Sequence, residues 1–212
     1  MEFQAVIEST NTCRFYRPDP LPDDVVMRIL DAARYAPSGG NRQPVRFVVV
    51  RDPAKRRQLK EWYLPIWNTY VAQAKAATPA TGPRARLLAN ADHFAQHLDE
   101  VPVLVVVCAV LAALYPTDRG LGRLSIVGGA SVYPGVQNVL LKAREEGVGG
   151  TLTTLLCAVE PQVKELLCIP DGVATAALLA LGYPVRPFPQ RLRRRPLAEM
   201  VFGETFGMPL VG

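Results

Sequence analysis

Apolar residues along this chain follow two patterns, recurring at helical spacing in some stretches and running together in others. Between Phe3 and about Thr10 the spacing predicts a short helix with Val6 and Ile7 inward. Pro18, Pro20 and Pro22 then impose an extended connector. A second helix is expected from Asp23 and Asp24, acidic residues suited to the positive end of a helix dipole, with Val25, Val26, Ile29, Leu30 and Ala33 at helical spacing. It must end before Pro37. The β-branched run Val45–Val50, bounded by Asp52-Pro53, reads as a buried strand. Residues 54–77 are helical in composition, with Pro65 expected to break or kink them, and residues 78–83 form a mobile-looking connection. Further on the pattern predicts a helix over 87–100, a buried strand over Val103–Val110 and a long helix over Ser125–Glu146 capped by Gly147. An extended stretch over Gly149–Leu156, a short helix over Pro161–Leu167 and a last buried strand over Ala174–Tyr183 complete the chain's regular elements. Strands separated by helices, too few for a doubly wound sheet, predict a mixed α/β or α+β layer fold.

Composition adds limits. With 212 residues, 49% hydrophobic and 20% charged, the chain can build one sizeable core, and a single domain is expected. Its longest apolar run, Val101–Leu114, is interrupted by Pro102 and is too short to span a membrane. The first residues show no basic stretch followed by an apolar one, so a cytoplasmic protein is expected. Cys13, Cys108, Cys157 and Cys168 show no CxxC pairing and read as reduced thiols. Arg14, next to Cys13, is expected to lower that thiol's pKa, although the residue otherwise reads as a small filler. A net charge of +5 hints at nucleic acid, but much of the excess lies between Arg186 and Arg195, without interleaved exposed aromatics or a known module. No nucleic-acid partner is expected.

The stretch Pro37-Ser38-Gly39-Gly40-Asn41-Arg42-Gln43-Pro44 joins a helix to a strand without an ordinary turn. Its prolines set extended ends, its glycines permit positive φ, and Ser, Asn and Gln supply neutral donors and acceptors. It suits a flat, polar-edged ligand, although taken alone such residues read first as a solvated connection. Trp62, Tyr63, Trp67 and Tyr70 form either a lid that stacks an aromatic substrate or a helix face closed against the core. Tyr133, before Pro134, is a second candidate pocket wall, with core packing as the alternative. His93 and His97 have the i,i+4 spacing of a metal pair, but no third ligand stands at a suitable distance, and no metal is expected.

Four stretches agree in order and spacing with one family. They are Asn11-Thr12-Cys13-Arg14-Phe15-Tyr16, then residues 32–44 through Pro37-Ser38-Gly39-Gly40-Asn41, then Gln137-Asn138 followed by Gly147-Val148-Gly149-Gly150-Thr151, and finally Arg195-Pro196-Leu197. With these the chain resembles the FMN-dependent nitroreductase-like flavoproteins. The resemblance implies an α+β nitroreductase-like fold, a central mostly antiparallel sheet flanked by helices, in an intertwined homodimer with two FMN sites at the interface. It implies one domain over 1–212 with a lid insertion around 61–90. Pro37, Ser38, Gly39 and Asn41, with Gln43 close by, would reach the flavin of the partner subunit. Thr10, Asn11, Thr12 and Arg14, with Arg193 and Arg195, would form the phosphate end, leaving Arg191 and Arg194 facing solvent. Gly150, Thr151, Leu152 and Thr153 match the segment whose backbone N–H faces flavin N5. His93 or Gln96 would either approach the flavin or lie on a polar helix face.

Two departures stand out. Thr10 occupies a position where the family carries arginine or lysine, which implies a weaker grip, compensation by Arg14 and the C-terminal arginines, or another cofactor. Val45 stands where tryptophan is common. The activity implied is oxidation of NADH or NADPH and reduction of a nitroaromatic, a quinone or a related small electron acceptor. It would follow a ping-pong cycle in which the flavin does the chemistry without a catalytic side chain. Reductive dehalogenation, ene reduction, or a flavin- or deazaflavin-binding role with little turnover are the alternatives.

Overall fold

A computed structural model describes residues 1–77 and 81–210. The elements in order are α1 (Phe3–Ser9), α2 (Asp23–Asp31), β1 (Val45–Val50), α3 (Pro53–Ala76), α4 (Pro83–Gln96), β2 (Val103–Val110), α5 (Tyr133–Glu145), β3 (Gly149–Thr153), α6 (Glu160–Leu167) and β4 (Val173–Gly182), with short 3-10 turns between. The four strands form one sheet in the order β1-β2-β4-β3, every pairing antiparallel. This is the layered α+β arrangement that the strand and helix pattern predicts.

β2 is the centre. Because side chains alternate across a strand, its residues divide between two cores. Leu104, Val106 and Cys108 pack with Leu59, Tyr63, Trp67 and Phe94 from α3 and α4 on one face. Val103, Val105 and Val107 pack with Ile29 of α2 and Val136 and Val139 of α5 on the other. A bulge between Val107 and Cys108 shifts its register against β4.

Several expectations need correction. Ile7 is exposed while Val6 is buried, because α1 presents a narrow face to the molecule. β1 is half open rather than buried, since it lies at the sheet edge, and only Val50 is enclosed. α3 runs through Pro65 as one helix. Pro65 sits on its exposed side, and the i,i+4 stripe Leu59, Tyr63, Trp67 and Val71 holds both halves on the core. The helix expected over 87–100 begins earlier, with Pro83 in its first turn, and gives way at His97 to a 3-10 turn. The expected connection over 78–83 lies partly outside the described residues.

The helix expected from Ser125 begins only at Tyr133. The buried Asp118 carboxylate explains the difference: it accepts from the Ser125 hydroxyl at 2.7 Å and from the Ile126 and Val127 amides at 3.0 and 3.4 Å, fixing that stretch as a turn. Ser125, first among these donors, and Arg123 hold Asp118 down to a pKa of about 2. At the far end of α5, Gly147 with φ 73° ends the helix as expected, the Val148 amide bonding back to Ala143 at 2.7 Å.

Candidate functional site

Chain entry into the fold places the first candidate stretch directly on β3. Thr12 forms a parallel bridge with Gly150, and the Cys13 amide donates to the Gly150 carbonyl at 3.0 Å. The fit is tight enough to require glycine at 149, where a Cβ would stand 2.6 Å from Cys13 Sγ and 2.7 Å from its Cβ, while one on Gly150 would stand 2.6 Å from Leu140 Cδ2 and displace that side chain. Below this contact Tyr16 fastens the layers, its hydroxyl lying 2.8 Å from Thr151 Oγ1 and within hydrogen-bond distance of the carbonyls of Cys13 at 2.9 Å and Ala180 at 3.1 Å, which share its one proton. Burial pushes the Tyr16 phenol well above its ordinary pKa. Cys13 likewise shifts up, because burial outweighs the neighbouring Arg14 charge, contrary to the expected lowering.

β3 is an edge strand, and its backbone alternates between the two sides of the strand. Since the Gly150 carbonyl points away from β4 to Cys13, the N–H of Leu152, two residues on, points to that same open side. Two cavities open on that side, and a third joins them at Thr12. One, about 360 Å³, is lined by Thr10, Asn11, Thr12, Gln137, Leu140, Arg144, Gly150, Leu152, Phe188 and Arg194. A second, about 310 Å³, has Tyr63, Trp67, Tyr70 and Phe94 as aromatic walls, with Thr12, Arg14 and Leu152 to Thr154 below them. A smaller one, about 100 Å³, runs from Asn11 to Phe15 under Arg186. Thr12 lines all three, and Leu152 the two larger.

Thus Thr10, Asn11, Thr12, Arg14, Gly150, Thr151, Leu152 and Thr153 come together. The aromatic candidates divide. Trp67 is buried, its indole donating to Asp92 at 2.8 Å, and Tyr70 is more than half exposed at the rim. Trp62 packs against the core outside the cavity. Tyr133 donates its hydroxyl to the Ala176 carbonyl at 3.1 Å and lines none of these cavities. Arg193 and Arg195 are exposed and away from the cavity lining, whereas Arg194, expected to face solvent, lines the largest of the three. Arg191 pairs with Glu8 at 3.2 Å. Arg144 and Phe188 escaped the sequence reading, for only the packing of α5 and the C-terminal segment brings them here.

His93 is stacked between Phe15 and His97, with ring centroids 4.3 and 4.1 Å away, and Arg186 lies 3.9 Å over the other face of Phe15. Burial, then His97, draws the His93 pKa down. Among the described residues no group of three or more His, Cys, Asp or Glu side chains is arranged to hold a metal.

The second candidate stretch lies elsewhere. Ser38 Oγ accepts from the Gln43 amide at 2.9 Å, Gln43 Nε2 donates to Asn41 Oδ1 at 3.1 Å, and Gly39 donates to Ser131 Oγ at 3.0 Å. Asn41 and Gln43 both hold positive φ, 52° and 48°, a conformation uncommon for side-chain-bearing residues. Pro37, Gly39 and Asn41 are exposed, while Ser38 and Gln43 line a separate apolar cavity of about 420 Å³ with Met27, Phe47 and Val49. It shares no residue with the Thr12 cavities, so within one chain the two halves of the expected site stay apart.

The nitroreductase family model matches residues 7–183, within which the Thr12–Gly150 contact and the Ser38–Gln43 loop both fall. This chain belongs to the nitroreductase family. It is 32% identical over 198 residues to a Thermus thermophilus NADH dehydrogenase, covering 89% of each chain. It is 31% identical to a Rhodospirillum rubrum 5,6-dimethylbenzimidazole synthase, covering 87% of this chain and 83% of that one. Its fold matches an iodotyrosine deiodinase crystallised with FMN and 3-iodo-L-tyrosine at a TM-score of 0.70, with 23% identity over 96% of this chain and all of that one. Among the described residues no helix is long and apolar enough to cross a membrane.

Proposed function

We propose that this nitroreductase-family chain is an FMN-dependent NAD(P)H oxidoreductase, active as a cytoplasmic homodimer, that reduces nitroaromatics, quinones or similar small acceptors. The observation that carries the reading is the junction at Thr12 and Leu152, where a cavity with two arginines and hydroxyls opens into one with aromatic walls. The donor set fits FMN. Thr12, Arg144 and Arg194 suit its phosphate, Leu140 and Leu152 its ring face, and the Leu152 N–H and Arg14 its polar edge. When bound, FMN supplies the hydride and electron chemistry. Leu152 donates a fixed main-chain hydrogen bond without a titrating group, Tyr63 and Trp67 exclude water, and Tyr70 meets the incoming ring at the rim.

A second copy would bring its exposed Pro37, Gly39, Asn41 and Gln43, with the half-buried Ser38, to this junction and complete the site. One aromatic-walled pocket serving NADH or NADPH and then the acceptor implies ping-pong kinetics. The domain is single, with a lid around residues 61–90, of which 78–80 lie outside the described residues, and the four unpaired cysteines suit a reducing compartment. An anaerobic visible spectrum of purified protein tests the reading, with expected loss of flavin absorbance on adding NADH or NADPH and its return with menadione or nitrofurazone. Protein that neither carries flavin nor takes up added FMN overturns it.

A further inference from the structure

Among the described residues Arg17, Arg28, Arg34, Arg51, Arg123 and Arg191 lie beside a carboxylate. Arg144 does not: among the described residues no Asp or Glu oxygen lies within ion-pair distance of it. Its guanidinium is held in place by neutral groups. Nε donates to the buried Ser9 Oγ at 3.0 Å, Nη1 lies 3.2 Å from Met1 Sδ, and Cζ sits 4.0 Å from the centroid of the Phe188 ring. It is partly buried and lines the 360 Å³ cavity with Thr10, Thr12 and Arg194. A partly desolvated cation, fixed in orientation and left without a counter-ion at a cavity wall, is arranged for an anion that arrives from outside.

Thr10 supplies the second half of the argument. Its hydroxyl donates to the Val6 carbonyl of α1 at 2.7 Å, so its proton is committed to its own helix. Ser9, the residue beside it, is the one that grips Arg144. The missing positive charge of position 10 is therefore replaced from the opposite wall, by a residue on α5.

We propose that Arg144 is the principal phosphate-binding cation of this site, taking over the role vacated at Thr10, with Arg194 in support. The inference rests on the FMN reading above. With Nε on Ser9 and Nη1 3.2 Å from Met1 Sδ, both N–H groups of Nη2 and the second N–H of Nη1 remain for phosphate oxygens, a planar fork that a lysine at this place does not reproduce. Selectivity for the phosphorylated flavin over riboflavin follows.

The test is a titration of apo-protein with FMN and with riboflavin, followed by flavin fluorescence, for the wild type, Arg144→Met, Arg144→Lys and Arg144→Met/Thr10→Arg. Arg144→Met is expected to weaken FMN by about 10- to 100-fold and leave riboflavin unchanged. Lysine should restore part of the loss, and arginine at position 10 a larger part. Potassium chloride should weaken FMN but not riboflavin in the wild type. Equal losses for both flavins in Arg144→Met, or no loss for either, overturn the proposal, as does wild-type protein that binds both equally. Should Arg144→Met not fold, Ser9→Ala, which releases the guanidinium but keeps its charge, is expected to weaken FMN alone, and an unchanged affinity overturns the assignment. Wild-type protein that binds neither flavin defeats the functional reading itself and takes this inference with it.

Discussion

β1 and β3 lie at opposite edges of the same sheet, and their sequences and surroundings contrast at every step. β3 is Gly-Gly-Thr-Leu-Thr, and its outer side takes a bridge from Thr12 of the same chain before opening onto the ligand-sized cavities. β1 is Val-Arg-Phe-Val-Val-Val, has no strand beyond it among the described residues, and borders the apolar cavity with Met27. An apolar open edge invites pairing or aggregation unless something covers it. An edge built from glycine and threonine and closed by its own chain instead leaves room and donors for a small molecule. One edge thus reads as a site and the other as an interface, which the proposed homodimer would join.

Gly149→Val attacks the closed edge and should have the largest effect. Its Cβ would press on Cys13 Sγ and Cβ and force the Thr12–Cys13 loop off β3, at a cost of about 3 kcal/mol in urea unfolding. Unchanged stability would mean that the loop and strand are more loosely joined than the contact implies. Val49→Asp attacks the open edge. Val49 is 39% exposed, so the fold should tolerate the change while self-association falls by about 2 kcal/mol, roughly 30-fold in dissociation constant by analytical ultracentrifugation. An unaltered association would place the interface elsewhere.

Trp67→Phe keeps the ring near the aromatic cavity but removes its bond to Asp92. About 1 kcal/mol of stability should be lost, with a higher KM for aromatic acceptors and little change in FMN affinity. The mildest effect concerns acid. Asp118 in the folded chain titrates near 2, below its ordinary 3.8. Its stabilising contribution is therefore present above about pH 4 and lost as pH falls through 2. Asp118→Asn should flatten that part of the acid-unfolding profile, and an identical profile would exclude Asp118 as the group responsible.

Much of this was visible in the residues. The apolar runs of β2 and β4 and the i,i+4 spacings of α2 and α3 mark local preferences that tertiary packing reinforces, so their elements lie where the pattern puts them. Ser125–Val132 misled because its conformation is set by Asp118, a side chain several residues upstream whose hydrogen bonds leave no period. The site was half legible. Thr12 and Gly150 belong to recognisable motifs, whereas Arg144 looks like any solvent-facing residue near a helix end until Ser9 and Phe188 are placed beside it. Arg194 differs from its neighbours Arg193 and Arg195 only in the direction a non-repetitive segment happens to turn.

The close contact of Gly149 and Gly150 with Cys13 and Leu140 also bears on how such a chain can change over time. Substitution there disturbs the loop, the strand and α5 together, so the floor of the site is held constant by the fold itself. Tyr70, at the outer end of α3, faces no such restriction. New acceptor preferences can therefore arise through the outer helices while the cofactor floor is inherited unaltered, which separates diversification of substrate from conservation of chemistry within one small domain.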